Sequence, residues 1–171
     1  MKYFTAEMWA GLQDHESDKW SRLWARNYRR YWHQLKKLES RLNARAFKFF
    51  TKESLHDGFL ASISIIDRDN TAQVLGKRYR ERPYPTKVAM SVMHWEGKYL
   101  YELEYSQVRR ISVDYSSKAQ LFREESEGLG WWGYDELTSK GPTFLIHDIL
   151  FDSGATISLE FQSIEVRRRR L

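Results

Sequence analysis

The sequence predicts an α+β fold in which N-terminal helices pack on an antiparallel, meander-like sheet of about six or seven strands. Two periodicities support this prediction. From Trp20 to Phe50, apolar residues recur at alternating steps of four and three, the spacing of one helical face. After Phe50, apolar and polar residues alternate, which is the spacing of strands with one buried side. Because the helices come first, we expect the helical segment to cover one face of the sheet.

The composition suits one domain. The chain has 171 residues, of which 42% are hydrophobic and 15% aromatic, enough to bury a substantial core. We divide it into a helical segment (1–50), a sheet (58–166) and a basic tail (167–171). The tail prediction depends on the run Arg167–Arg170, since adjacent like charges repel one another and favour solvation.

Several classes of protein are excluded or disfavoured. The chain has no cysteine, which excludes disulfides, thiolate zinc sites and cysteine nucleophiles. No apolar leader follows Met1, and no run approaches the ~18 apolar residues of a membrane span. We therefore expect a cytoplasmic protein with no membrane contact.

The helical segment begins with a short helix capped by Thr5. Trp20 to Phe50 then reads as one long helix, which crosses the domain, breaks near Asn43 or meets a partner. Its two sides differ in chemistry, and we expect the aromatic side to face the sheet and the basic side to face solvent. The aromatic and apolar side carries Trp24, Tyr28, Tyr31, Leu35, Leu38 and Leu42.

The second half predicts strands joined by tight turns. Turn residues at Glu96-Gly97 and at Asp152-Ser153-Gly154 indicate two hairpins. The alternation of apolar and polar positions shifts by one residue after Phe161, which predicts a bulge or bend near Gln162. The expected strands cover 59–65, 88–92, 99–105, 108–115, 131–137, 144–151 and 156–161, with loops at 67–86 and 116–130.

Three stretches resemble a known family. They are the opening Met1-Lys2-Tyr3-Phe4-Thr5, the tripeptide Leu55-His56-Asp57 before a strand, and the closing His147-Asp148-Ile149-Leu150-Phe151-Asp152-Ser153-Gly154 with Ile157-Ser158-Leu159-Glu160-Phe161. Together they resemble an uncharacterised bacterial family of small proteins annotated only as a domain of unknown function. The resemblance implies a bacterial, cytoplasmic protein, and it transfers no catalytic residue.

The first candidate site is the basic side of the long helix, where Arg22, Arg26, Arg29 and Arg30 are available to neutralise phosphates or an acidic protein surface. Rings that stack on bases are usually interleaved with the basic residues. Here the rings and the arginines lie on separate sides. This separation favours a core role for the rings and a solvated role for the arginines.

The second candidate is a polar cluster made by two His-Asp dipeptides. His56-Asp57 precedes the first strand, and His147-Asp148 lies in a later one. If these strands are neighbours, the four side chains converge on a metal. The alternative is a pair of turn or strand-end motifs, and the sequence favours that alternative because neither pair lies on a helix.

The other strand carboxylates, Glu102, Glu104, Asp135, Glu136 and Glu160, fit the solvated side of a half-buried sheet better than an acid–base pair. No phosphate-binding loop or nucleophile elbow is present, and no cofactor or metal is predicted. We therefore expect a non-enzymatic protein-binding module, by analogy including immunity or antitoxin proteins, with a protein partner or a homodimer. The expected contact is the basic helix or the sheet edge. The alternatives are a nucleic-acid-binding protein and, third, a hydrolase-type enzyme with a His/Asp site.

Overall fold

The computed structural model describes residues 1–13, 18–67, 86–115 and 128–171, and it confirms the α+β class. Within these ranges the chain forms helices α1 (Ala6–Gln13), α2 (Asp18–Lys36) and α3 (Ala44–Lys52), followed by eight strands. The strands are β1 (Phe59–Ile66), β2 (Lys87–Met93), β3 (Tyr99–Ser106), β4 (Arg110–Asp114), β5 (Trp132–Lys140), β6 (Phe144–Phe151), β7 (Thr156–Phe161) and β8 (Ser163–Arg170). Most of the two predicted loops, 67–86 and 116–130, lies outside the described residues.

The prediction of one unbroken helix from Trp20 to Phe50 is wrong, whereas the break near Asn43 is confirmed. The Asn43 backbone is extended, and its side-chain oxygen accepts a hydrogen bond from the Ala46 N–H at 2.8 Å. This is the geometry of an N-cap, so Asn43 starts α3. Helix α2 ends at Lys36, and a 3₁₀ turn (Glu39–Arg41) lies between the two helices. Thr5 caps α1 as predicted, accepting a bond from the Met8 N–H at 3.2 Å.

The strands form two four-stranded antiparallel sheets in place of the single sheet that we expected. Their orders are β1-β2-β3-β8 and β4-β7-β6-β5. Both predicted hairpins, β2-β3 and β6-β7, are present. The bend near Gln162 is also confirmed, and it has a larger consequence than we expected: the chain leaves one sheet at β7 and enters the other at β8. Gln107, with φ of 55°, lies at the matching switch from β3 to β4.

The basic run is exposed, as expected, but the prediction that it forms a tail is wrong. Residues Arg167–Arg170 belong to β8 and pair in register with Glu102–Tyr99 of β3. The Arg168 guanidinium lies over the Tyr99 ring at 4.8 Å, and it reaches the Glu53 carboxylate at 3.5 Å. Backbone pairing and these contacts outweigh the repulsion within the run.

The helices lie along the outer strands of both sheets, with α2 against β5 and α3 against β8. Hydrogen bonds stabilise the contact of α2 with β5 and the contact between the start of α3 and β8. The Leu137 N–H of β5 donates to the Tyr31 hydroxyl at 3.0 Å, and the Asn43 side-chain nitrogen donates to the Ile164 carbonyl of β8 at 3.0 Å. These contacts cover two sheet edges, and residues of both sheets and all three helices share one apolar core. None of the helices in the described ranges is long and apolar enough to cross a bilayer.

The first residues of the chain are held by a buried carboxylate. The backbone N–H groups of Lys2, Tyr3 and Phe4 donate to Glu136 of β5 at 2.7, 2.5 and 2.6 Å. Glu136 is fully buried, which corrects the expectation that it lies on a solvated sheet face. Three donors offset the cost of burying this charge, and they place the Phe4 ring against Tyr134.

Candidate binding site

Helix α2 carries the predicted basic residues on its exposed side. Arg22, Arg26, Arg29 and Arg30 are all exposed. Arg22 pairs with Asp18 at 3.2 Å in a solvent-exposed ion pair, which contributes little to stability. For the other three, the described part of the chain contains no carboxylate within ion-pair distance. The predicted basic surface therefore exists and carries net positive charge. Arg22, Arg26, Arg29 and Arg30 together form the basic face of α2.

The opposite side of α2 faces the rest of the fold. Tyr31 and Leu35 are buried, while Trp24 and Trp32 are half-buried. Tyr28 departs from the prediction because its side chain is 44% exposed, although it stacks on Trp24 with ring centroids 5.0 Å apart. The predicted separation of rings from guanidinium groups holds, with one ring left at the surface.

The two His-Asp pairs have separate surroundings. His56 and Asp57 pair with each other at 3.0 Å, in a turn where Asp57 adopts a φ of 62°. The His56 ring contacts the Trp9 and Tyr134 rings. This is the turn arrangement that the sequence favoured over a shared metal site.

His147 and Asp148 are consecutive in β6, so their side chains point to opposite sides of the strand. His147 is fully buried. Asp148 accepts a hydrogen bond from the Ser158 hydroxyl at 2.6 Å, and it lies 3.7 Å from the Met1 amino nitrogen. Across the described ranges, no three His, Asp or Glu residues are grouped so that they could hold a metal ion. The convergence considered for the polar cluster is therefore not found there.

A cleft between α2, α3 and β5 is a concavity that the sequence did not reveal. Its volume is about 420 Å³, within the range of roughly 300–1,000 Å³ typical of small-molecule sites. Its walls are mainly aromatic. The rings include those of Phe4, Trp24, Tyr28, Trp32, Phe50 and Tyr134.

Asp135 supplies a carboxylate to this cleft. Its Oδ1 accepts a hydrogen bond from the Trp132 indole N–H at 3.1 Å, and its Oδ2 lies 3.1 Å from Nε2 of His147. On the other side of the imidazole, Nδ1 lies 2.7 Å from the Tyr105 hydroxyl. His147 and Tyr105 are fully buried, whereas the Asp135 side chain is 24% exposed. The accessible end of this hydrogen-bonded chain is thus the carboxylate.

The hydrogen bonds fit one assignment of the protons. Burial first, and the Asp135 charge second, raise the pKa of the Tyr105 hydroxyl well above its ordinary value, so that it stays protonated. If it donates to Nδ1 of His147, then Nε2 carries the imidazole proton and donates to Asp135. In this arrangement each polar atom of the hydrogen-bonded chain has a hydrogen-bond partner.

Burial raises the pKa of two further hydroxyls beside the cleft. Burial is the main cause that raises the pKa of Tyr31, with the Asp135 charge second. Burial also raises the pKa of Tyr134, and the nearby Trp24 indole opposes that shift. The buried Trp24 Nε1 nevertheless has no hydrogen-bond acceptor in proper geometry within the described part of the chain.

The sequence named His147 as a candidate but did not identify its partners. Tyr105 lies 42 residues away and Asp135 lies 12 residues away, so only the strand order brings them together. The many aromatic residues of α2 are a local signal for the cleft, but the sequence pattern favours a core role for them. The alternation of polar and apolar residues suggested a solvated side for Asp135, whereas this residue lies in the cleft that α2 and α3 border and its side chain is 24% exposed.

No protein family, curated protein or solved structure matches this chain. The fold and the two surfaces of α2 are therefore the basis for any statement about function.

Proposed function

We propose that this protein is a non-enzymatic protein-binding module that uses the basic face of α2 to engage an acidic protein surface. The observation that carries the proposal is the row Arg26, Arg29 and Arg30, exposed and without carboxylate partners in the described ranges. Uncompensated charge on one face steers an oppositely charged partner and selects its orientation.

The basic face stands on a rigid support. Tyr31 fixes the middle of α2 to β5, and the Asn27 side-chain nitrogen donates to the Tyr3 carbonyl at 2.9 Å. Leu35, further along α2, is fully buried. A helix held in this way loses little conformational freedom when a partner docks, which favours binding.

Two features support binding over catalysis. His147 has both ring nitrogens engaged and is sealed from solvent, so it is not available to a substrate. The two His-Asp pairs lack the shared cluster on which the hydrolase alternative depended. A bacterial, cytoplasmic setting stays a prediction from the sequence resemblance, and the immunity or antitoxin role remains an analogy.

A nucleic-acid partner is the second candidate. It is favoured by Arg22, Arg26 and Arg29, whose spacing of four and three residues places them in one stripe along α2, as phosphate contacts require. It is disfavoured by the position of the rings. Trp24, Tyr28 and Trp32 lie on the cleft side, so the basic face offers no stacking platform for unpaired bases.

The test compares affinity capture by three forms of the protein from extracts with and without nuclease. One form is wild type. The second carries Arg26→Glu, Arg29→Glu and Arg30→Glu. The matched control carries the same charge change on strands, at Arg110, Arg169 and Arg170, which are also exposed.

We expect wild type and the control to capture the same protein partners, with or without nuclease. The α2 variant should lose these partners. Partners that disappear with nuclease would instead support the second candidate. In that case a duplex should bind in a gel shift, with affinity falling steeply between roughly 50 and 200 mM salt. Identical capture by all three forms would refute both roles of the basic face.

A further inference from the structure

We propose that the aromatic cleft between α2, α3 and β5 is a binding site for a primary alkylammonium group carried on an apolar body. This site is distinct from the basic face, because the cleft lies on the opposite side of α2. The inference therefore does not depend on the proposed function.

The carboxylates that line the cleft determine the sign of the charge on the ligand. Asp135 is oriented by Trp132 and His147, and its carboxylate is the accessible end of this hydrogen-bonded chain. The other carboxylate of the lining, Glu53, is already engaged by the Tyr101 hydroxyl and lies 3.5 Å from Arg168. Lys52 also lines the cleft, but its side chain is exposed and makes no ion pair with Asp135. A cationic group is the complement of the accessible Asp135 carboxylate.

The hydrogen bonds of Asp135 determine which cation fits. Each carboxylate oxygen already accepts one bond from within the protein. The remaining lone pairs suit a compact ammonium better than a guanidinium, which binds a carboxylate best when both oxygens are open to a planar fork.

The walls of the cleft determine what the ammonium is attached to. Aromatic rings line the same cleft as the carboxylate, and a volume of about 420 Å³ accommodates an aryl-alkyl group as well as the ammonium. The Tyr28 ring is 44% exposed and stacks on Trp24, so a ligand that enters the cleft covers ring surface that water now contacts. The same ammonium chemistry is available from a free amine or from the lysine side chain of a partner protein.

The experiment measures binding by calorimetry and by tryptophan fluorescence, since Trp24 and Trp32 line the cleft. The probes are phenethylammonium, its neutral analogue phenethyl alcohol, and N-acetyl-lysine amide. We expect at least about tenfold tighter binding of one ammonium probe than of the alcohol, the value of a charge-assisted hydrogen bond. Preference for phenethylammonium identifies a free amine as the ligand class, and preference for the lysine amide identifies a protein side chain.

Variants locate the site. Asp135→Asn should weaken ammonium binding at least about tenfold while leaving alcohol binding unchanged. Tyr28→Ala, at the exposed ring, should weaken it roughly two- to fivefold, and it provides a test if Asp135→Asn does not fold. Asp114→Asn, an exposed carboxylate on β4, is the control and should change nothing.

Three results would overturn the proposal. The first is equal affinity for the ammonium and the alcohol. The second is unchanged ammonium affinity in folded Asp135→Asn or, if that variant does not fold, in Tyr28→Ala. The third is the absence of binding by both ammonium probes at concentrations up to about 10 mM.

Discussion

Replacing Glu136 with glutamine should destabilise the protein by about 3–5 kcal/mol. The carboxylate accepts the N–H groups of Tyr3 and Phe4 on Oε1 and that of Lys2 on Oε2. Glutamine keeps one acceptor oxygen for the first two donors, but its amide NH2 then opposes the Lys2 N–H. The variant thus loses one charge-assisted bond, weakens two more by removing the charge, and leaves a backbone donor unsatisfied.

Urea unfolding followed by tryptophan fluorescence measures this difference, with Glu165→Gln as the control. Glu165 is exposed and pairs with Arg167 only at the surface, so its loss should cost less than about 0.5 kcal/mol. Hydrogen exchange should also show faster exchange of the Tyr3 and Phe4 amides in Glu136→Gln. A Glu136→Gln variant within about 0.5 kcal/mol of wild type would refute the view that this carboxylate anchors the first residues.

Other substitutions and pH test further parts of the fold. Tyr31→Phe removes the acceptor for the Leu137 N–H, and urea unfolding should show a loss of about 1–3 kcal/mol, whereas an exposed Tyr115→Phe control should show almost none. Asn43→Ala removes the cap of α3 and the bond to Ile164, and a loss of about 1–2 kcal/mol is expected; unchanged stability would contradict the capping role. Burial raises the pKa of Tyr31 and Tyr105, so in the unfolded chain these groups ionise at lower pH than in the folded protein. Their contribution to the free energy of unfolding is therefore complete below pH ~10 and declines above it, by up to about 1.4 kcal/mol per pH unit for each group. Urea unfolding at increasing pH measures this decline, and tyrosinate absorbance reports the ionisation.

Local signals in the sequence predicted the local features of the fold. Asn43 has a side chain that caps a helix, and the structure breaks the predicted helix there. The shift in the apolar–polar alternation at Gln162 predicts a bend, which the structure also contains. That this bend exchanges sheets could not be predicted, because it depends on the pairing of β8 with β3, nearly sixty residues earlier in the chain.

The candidate cleft was hidden for the same reason. Alternation along β5 suggested that its acidic residues face water, but the first residues of the chain cover Glu136 and the helices border Asp135. Arg167–Arg170 looked like a tail because a sequence gives no partner strand, although its side chains are exposed as expected. The basic face was predictable, since it requires only the helical period of α2 and an excess of arginine.

The unfolding free energy of the variant with Arg26→Glu, Arg29→Glu and Arg30→Glu tests the central claim most directly. If these arginines are uncompensated and available to a partner, their reversal costs the fold little. The three new carboxylates repel one another as the arginines did, while the repulsion between Arg22 and position 26 becomes an attraction. Urea unfolding should then show stability equal to wild type within about 0.5 kcal/mol, or higher. A loss of more than about 1 kcal/mol would show that the arginines serve the fold itself, and it would contradict their assignment as a binding surface.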